Sequence, residues 1–224
     1  MARQLRLSLK RPASYTRDEF VQGASNALAV AAIDAWPRWA GGCLALVGPQ
    51  SAGKTHLARA WAVNAHAATL DRLTPDLPAA AGRPVLLEDV DQGVDEESLF
   101  HLINLAAHKG GGLLVTARTL PATWPAALPD LRSRLNALPV AAIEAPDDRV
   151  LTGVLKKFFR ERNIRPNDDV YPYLLRRMER SIAGAHAIVE RLDETDHPDI
   201  RPVSRVLARQ ILGGDSENLD LFEG

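Results

Sequence analysis

The string Gly48-Pro-Gln-Ser-Ala-Gly53-Lys54-Thr55 constrains this 224-residue chain more than any other feature. It fits the phosphate-loop pattern, Gly-x-x-x-x-Gly-Lys-Thr, at every position, and that pattern works only where a buried strand delivers the loop and a helix leaves it. The glycines let successive backbone N–H groups curl around phosphate oxygens. Lys54 supplies a point charge at the β and γ phosphates, and the Thr55 hydroxyl can ligate Mg2+. The helix that starts there turns the positive end of its dipole toward the same anion. Gly48, Pro49, Ser51, Ala52, Gly53, Lys54 and Thr55 are therefore candidate nucleotide-binding residues. Both flanks agree with this reading. Residues 43–47 are an apolar run bounded by Gly42 and Gly48 and predict a buried strand, and residues 54–66 place Leu57, Ala58, Trp61, Ala62 and Ala65 on one helical face.

The same alternation continues along the chain. Strands are predicted over 68–70, 85–87, 113–116 and 140–143, and helices over 26–36 and 96–108, with Asp95 as the N-cap of the latter. Residues 74–84 carry three prolines and predict a loop. Beyond Pro146 the strands stop, and helices are predicted over 149–162, 170–179, 182–193 and 203–212. Strands alternating with helices and then helices alone predict an α/β domain with a parallel sheet, followed by a small all-α lid domain. The expected division is an arm at 1–14, the α/β domain at 15–145, the lid at 146–213 and a tail at 214–224.

Composition narrows the function classes. Hydrophobic residues make up 46% and charged residues 25% of the chain, which suits a globular core without disulfide or metal support. The single cysteine, Cys43, excludes an internal disulfide and leads us to expect a cytoplasmic protein. A net charge of −1 gives no global attraction to nucleic acid or to an anionic membrane. The longest apolar stretch, 27–35, contains Asp34 and is too short to span a bilayer.

A phosphate loop that holds a metal needs an acid on a neighbouring strand. Glu88 and Asp89 are the first polar residues after the 85–87 strand, where parallel-sheet sites gather. Glu88 is the candidate metal ligand beside Thr55, and Asp89 the candidate catalytic acid. Thr116 ends the third strand, where its hydroxyl could sense a γ-phosphate or simply close a strand. Arg132, Arg134 and Arg180 are not singled out by their local sequence. The six histidines have no Cys partners and no HxxxH pair, so no zinc site is predicted. The basic stretch from Lys156 to Arg162, with Phe158 and Phe159, reads as an amphipathic helix.

Taken together, these residues resemble the AAA+ module of the DnaA family of replication proteins, and more closely its Hda-type regulatory branch. The likeness runs from about residue 15 to 212. Phe20-Val-Gln-Gly-Ala-Ser-Asn26 resembles the segment that packs near the adenine, so Val21 is expected there. Gly53-Lys-Thr-His-Leu57 resembles the loop exit, which adds His56, although a histidine in that helix also reads as a packing residue. Leu99-Phe-His-Leu-Ile-Asn104 and Leu114-Val-Thr-Ala-Arg-Thr-Leu-Pro121 resemble the helix and sensor-1 strand, which makes Thr116 the sensor. Leu128-Pro-Asp-Leu-Arg-Ser-Arg-Leu135 resembles the arginine-finger box and gives Arg134 a catalytic role. Glu179-Arg-Ser-Ile-Ala-Gly-Ala185 resembles the sensor-2 helix and puts Arg180 on the phosphates. Gln4-Leu-Arg-Leu-Ser-Leu9 resembles a sliding-clamp-binding peptide, with Gln4, Leu5, Leu7 and Leu9 as its contacts; Asn218-Leu-Asp-Leu-Phe222 is a weaker second match.

The resemblance implies ADP or ATP with Mg2+ as ligands. It implies the DNA polymerase III sliding clamp (the beta subunit) and DnaA as partners, with homo-oligomers allowed and neither direct DNA contact nor a membrane expected. The implied function is stimulation of ATP hydrolysis by DnaA, which limits re-initiation of replication. The few residues after the lid lead us to expect no DNA-binding helices there. Three departures from the family pattern predict weak hydrolysis by the chain itself: Glu88 where the first acid is usually Asp, Ala117-Arg118 where an acid usually follows the sensor, and a short 67–84 segment. The rival readings are a DnaC-like helicase loader and a free-standing P-loop ATPase or kinase.

Overall fold

Strands that are covered on both sides must be apolar at every position, and this pattern positions the whole sheet. The computed structural model describes residues 15–194 and 203–213. The Gln4, Leu5, Leu7 and Leu9 peptide and the Asn218 segment lie outside the described residues. Strand β1 (Cys43–Val47) is buried throughout. Cys43, Ala45 and Val47 face one core, while Leu44 and Leu46 face the other. β4 (Gly112–Ala117) repeats the division, with Leu113, Val115 and Ala117 opposite Leu114. Together with β2 (Ala68–Leu70), β3 (Pro84–Leu87) and β5 (Val140–Ala142) they form a parallel sheet in the order β2-β3-β4-β1-β5. Helices α1 (Ala27–Asp34) and α2 (Lys54–Asn64) cover one face through Val30, Ile33, Leu57 and Trp61. Helices α3 (Glu96–Ala106) and α4 (Pro129–Ala137) cover the other through Leu99, Leu102, Leu131 and Leu135.

The predicted fold class is the observed one: an α/β domain followed by helices alone. Helices α5 (Asp148–Glu161), α6 (Val170–Leu175), α7 (Ile182–Glu194) and α8 (Arg205–Gly213) share a third core built on Leu151, Leu155, Phe159, Leu174 and Val189. Asp147 stands at the junction. Its carboxylate caps α5 by accepting from Val150 N (2.8 Å) and also accepts from Ser25 N (3.0 Å), so the cap ties the lid to the segment before α1. Hydrogen bonding to the ionised form holds the Asp147 carboxyl below its ordinary range.

The structure corrects two element predictions. α6 stops at Leu175, not at 179, because the amides of Arg177 and Met178 both turn back to Leu174 O. Helix α4 was not predicted from periodicity, since Leu131 and Leu135 alone face inward, too few for a stripe. Smaller shifts also occur: residues 24–26 form a 3-10 turn ahead of α1, and the proline-rich 74–84 loop contains a short 3-10 turn over Leu77–Ala80.

Candidate functional site

The end of β1 makes the floor of the site. Gly48 lies against the backbone carbonyl of Ile143, leaving no space for a Cβ, and its amide donates to Ala117 O of β4 at 3.2 Å. The loop then turns through two left-handed residues, Ser51 (φ 56) and Gly53 (φ 101), before α2 begins at Lys54. Glycine accepts such a backbone freely, whereas serine does so at a cost. Lys54 is 7% exposed, and its Nζ donates to Gly48 O and Pro49 O, both at 2.8 Å. The ammonium is thus held across the mouth of its own loop. Burial lowers its pKa, the carboxylates of Asp89 and Asp91 oppose that shift, and Arg118 adds to it.

Thr116 is buried in β4 beside Leu46 of β1, and its hydroxyl accepts from Asp89 N at 3.0 Å. Asp89 is held in a left-handed conformation (φ 54). Asp91 accepts from Arg118 N (2.8 Å) and Thr119 N (3.2 Å), fixing the loop after β4. The structure therefore brings Gly48, Lys54, Asp89 and Thr116 to one point at the C-terminal ends of β1, β3 and β4. Glu88 is committed elsewhere: its Oε2 accepts from Arg59 of α2. Mg2+ on a nucleotide is held largely by phosphate and water oxygens with one or two side-chain ligands. Among Thr55, Glu88 and Asp89, the chemistry of Thr55 and Asp89 fits that demand, and the ion-paired Glu88 does not.

The segment before α1 and the lid close over the loop. Phe20 and Ile182 pack on Gly53, and Ile182 N at the start of α7 donates to Ser51 O at 3.2 Å. Val21 lies on Gly153 of α5, at a cleft of about 510 Å³ lined also by Gln22, Asp148 and Thr152. The Asn26 side chain fixes this segment, donating to Val21 O and accepting from Gly23 N, both at 3.0 Å. His56 packs edge-on to Phe20 and Tyr15, and its Nε2 is 3.1 Å from Thr16 O. Burial lowers the His56 pKa.

The arginines are separated by their surroundings. Arg132 donates to Trp124 O at 2.6 Å and braces the turn before α4. Arg134, two residues on, is exposed, with its guanidinium over the Phe100 ring of α3 at 5.3 Å. Arg180 is exposed and paired with Asp148 at 2.7 Å. Sequence reasoning missed Arg59, Asp91, Ile182 and Asp147, each of which acts through a partner far along the chain. Asp147 alone had a signal, as a helix-start acid after Pro146.

No protein-family model matches the chain, and no curated protein matches it. Solved structures do. Domain III of the Thermotoga maritima replication initiation protein DnaA superposes with a TM-score of 0.71 at 19% identity, over 89% of this chain and 96% of that one. AMPPCP-bound DnaA from Aquifex aeolicus gives 0.69 at 17% identity, over 92% and 69%. The Thermotoga maritima RuvB Holliday junction branch migration motor gives 0.68 at 16% identity, over 90% and 72%. The chain has the AAA+ P-loop fold that these proteins share.

Proposed function

We propose that this chain is an adenine-nucleotide-binding AAA+ regulator of the Hda type, which docks on the replication sliding clamp and stimulates ATP hydrolysis by DnaA. One observation carries the reading: in a fold shared with DnaA, Arg134 is displayed on the surface while its neighbour Arg132 is tied inward. A finger that acts on another protein's nucleotide must be free to leave its own surface, and a cation–π contact on Phe100 allows that.

In this reading ADP or ATP lies between the α/β domain (15–145) and the lid (146–213). Backbone N–H groups of 48–55 cradle the phosphates, the Lys54 ammonium neutralises them, and Thr116 fixes Asp89 at their edge. Val21 borders the adenine, His56 braces the segment above it, and Arg180 reaches the phosphates by exchanging its Asp148 partner for them. Mg2+, when bound, supplies charge neutralisation at the β and γ oxygens, with Thr55 and Asp89 positioned to help hold it. Arg134 then stabilises charge on the γ-phosphoryl held by DnaA, and Gln4, Leu5, Leu7 and Leu9 enter the clamp as an extended peptide.

The test is hydrolysis of DnaA-bound ATP with clamp loaded on DNA, with and without this protein. Acceleration by the parent and none by Arg134→Ala supports the reading. An Arg134→Ala protein that stimulates fully, or a parent that fails to stimulate while remaining folded, refutes it.

A further inference from the structure

Arg59 lies one helical turn beyond Thr55, and its guanidinium makes two bonds to a single oxygen of Glu88: Nη2–Oε2 2.8 Å and Nε–Oε2 2.9 Å. Glu88 is only 16% exposed, so the pair is partly withdrawn from solvent screening. The guanidinium also lies over the Tyr15 ring, 5.0 Å from its centre. Tyr15 in turn stands edge-on to His56 at 5.5 Å, and the carbonyl of the next residue, Thr16, is 3.1 Å from His56 Nε2. His56 and Arg59 are three residues apart on α2 and present one side to Tyr15. The first described residue of the chain is thus fastened to the phosphate-loop helix at two points, and through Arg59 to the end of β3.

This arrangement changes what Glu88 can do. A carboxylate held by a charge-assisted pair is a poor metal ligand until the guanidinium leaves, and leaving exposes a cation and an anion at once. Asp89 carries no such burden: its amide is fixed by Thr116, and its carboxylate acts on Lys54. We propose that Tyr15, Arg59 and Glu88 form a latch that withholds Glu88 from nucleotide-bound Mg2+ and leaves Asp89 as the acid facing it, so that the chain holds nucleotide with little help from the metal. The latch rests on the nucleotide-binding reading above and deepens it. Arg59 is a positioning residue in this scheme. Its outer side is reachable, because Tyr15, Arg59 and Val63 line a cleft of about 660 Å³ beside the root of the arm.

The test is equilibrium titration of the full chain with a fluorescent ADP analogue, in Mg2+ and in EDTA, so that no hydrolysis is needed. For the parent, Mg2+ should change affinity by less than about threefold, and Glu88→Gln should leave that response as it is. Arg59→Ala frees Glu88 and should raise the Mg2+ enhancement to about tenfold, the usual scale for an outer-sphere partner. Arg59→Ala/Glu88→Gln should lose that gain, Arg59→Lys should show less of it, and Tyr15→Ala should shift the same way by a smaller factor. Ligand-free melting curves check folding, and Arg59→Gln replaces Arg59→Ala if the latter does not fold. The latch is overturned by an Arg59→Ala response equal to the parent's, by a gain that survives Glu88→Gln, or by a large parental Mg2+ response that Glu88→Gln abolishes. A parent that binds no nucleotide under either condition overturns the nucleotide reading, and the latch with it.

Discussion

Lys54 and Arg180 are two cations proposed for the same phosphates, and the fold holds them in opposite ways. Lys54 is 7% exposed and fixed by two carbonyls of its own loop. Arg180 is 55% exposed and rests on an Asp148 that is itself 70% exposed. A buried group aimed at its target in advance needs no reorganisation when the ligand arrives. An exposed ion pair is worth little and exchanges easily for a better anion. The floor of the site is thus built for affinity and the lid for response. Arg134, exposed on a ring face, follows the lid's rule and not the floor's.

Four substitutions would break or sharpen this contrast. The largest effect belongs to the most exposed machinery. Arg134→Ala should reduce stimulation of DnaA ATP hydrolysis by roughly 10³-fold or more, while its own melting stays within about 0.5 kcal/mol of the parent. Arg132→Ala, measured alongside, should instead lose stability, because Trp124 O loses its donor. Next comes the floor: Lys54→Ala should weaken ADP binding by roughly 100-fold, about 3 kcal/mol, in isothermal titration. Equal binding by this variant would place the phosphates elsewhere. Arg180→Ala should cost about tenfold or less, with an unchanged melting temperature; a marked loss of stability would make it a structural arginine.

The smallest effect is a pH dependence. Burial lowers the His56 pKa in the folded chain below 6.5, so the unfolded chain takes up a proton there that the folded chain resists. The His56 contribution to stability is therefore complete above pH 6.5 and declines as pH falls below it. Urea midpoints across pH 5 to 7.5 should show a shallower acid decline for His56→Gln than for the parent; parallel curves would exclude His56 as the cause.

What was legible in the sequence was local. The loop, its strand and its helix are contiguous, and the doubly buried strands read as unbroken apolar runs. Glu88 and Asp89 were found together at a strand end, but the division of labour between them was not, because it depends on an arginine 29 positions away. The Asp147–Ser25 tie spans 122 positions and left no pattern at either end beyond a helix-start acid. Arg132 and Arg134 look alike in the sequence, and only the packing of α4 separates a brace from a displayed group. The clamp peptide at 4–9 remains a reading of the sequence.

The seam between lid and loop has a different kind of security. Its hydrogen bond runs from Ile182 N to Ser51 O, main chain to main chain, so no ordinary side-chain replacement deletes it. Substitutions can accumulate on both sides while the join persists. Proline is the exception, and here it is unusually clean. Ile182 opens α7, Ser181 caps that helix through Gly184 N, and the first position of a helix accepts proline without breaking it. Ile182→Pro therefore removes the donor while sparing the helix. In the parent, the solvent exchange of that one amide proton acts as a native clock for the opening of the lid.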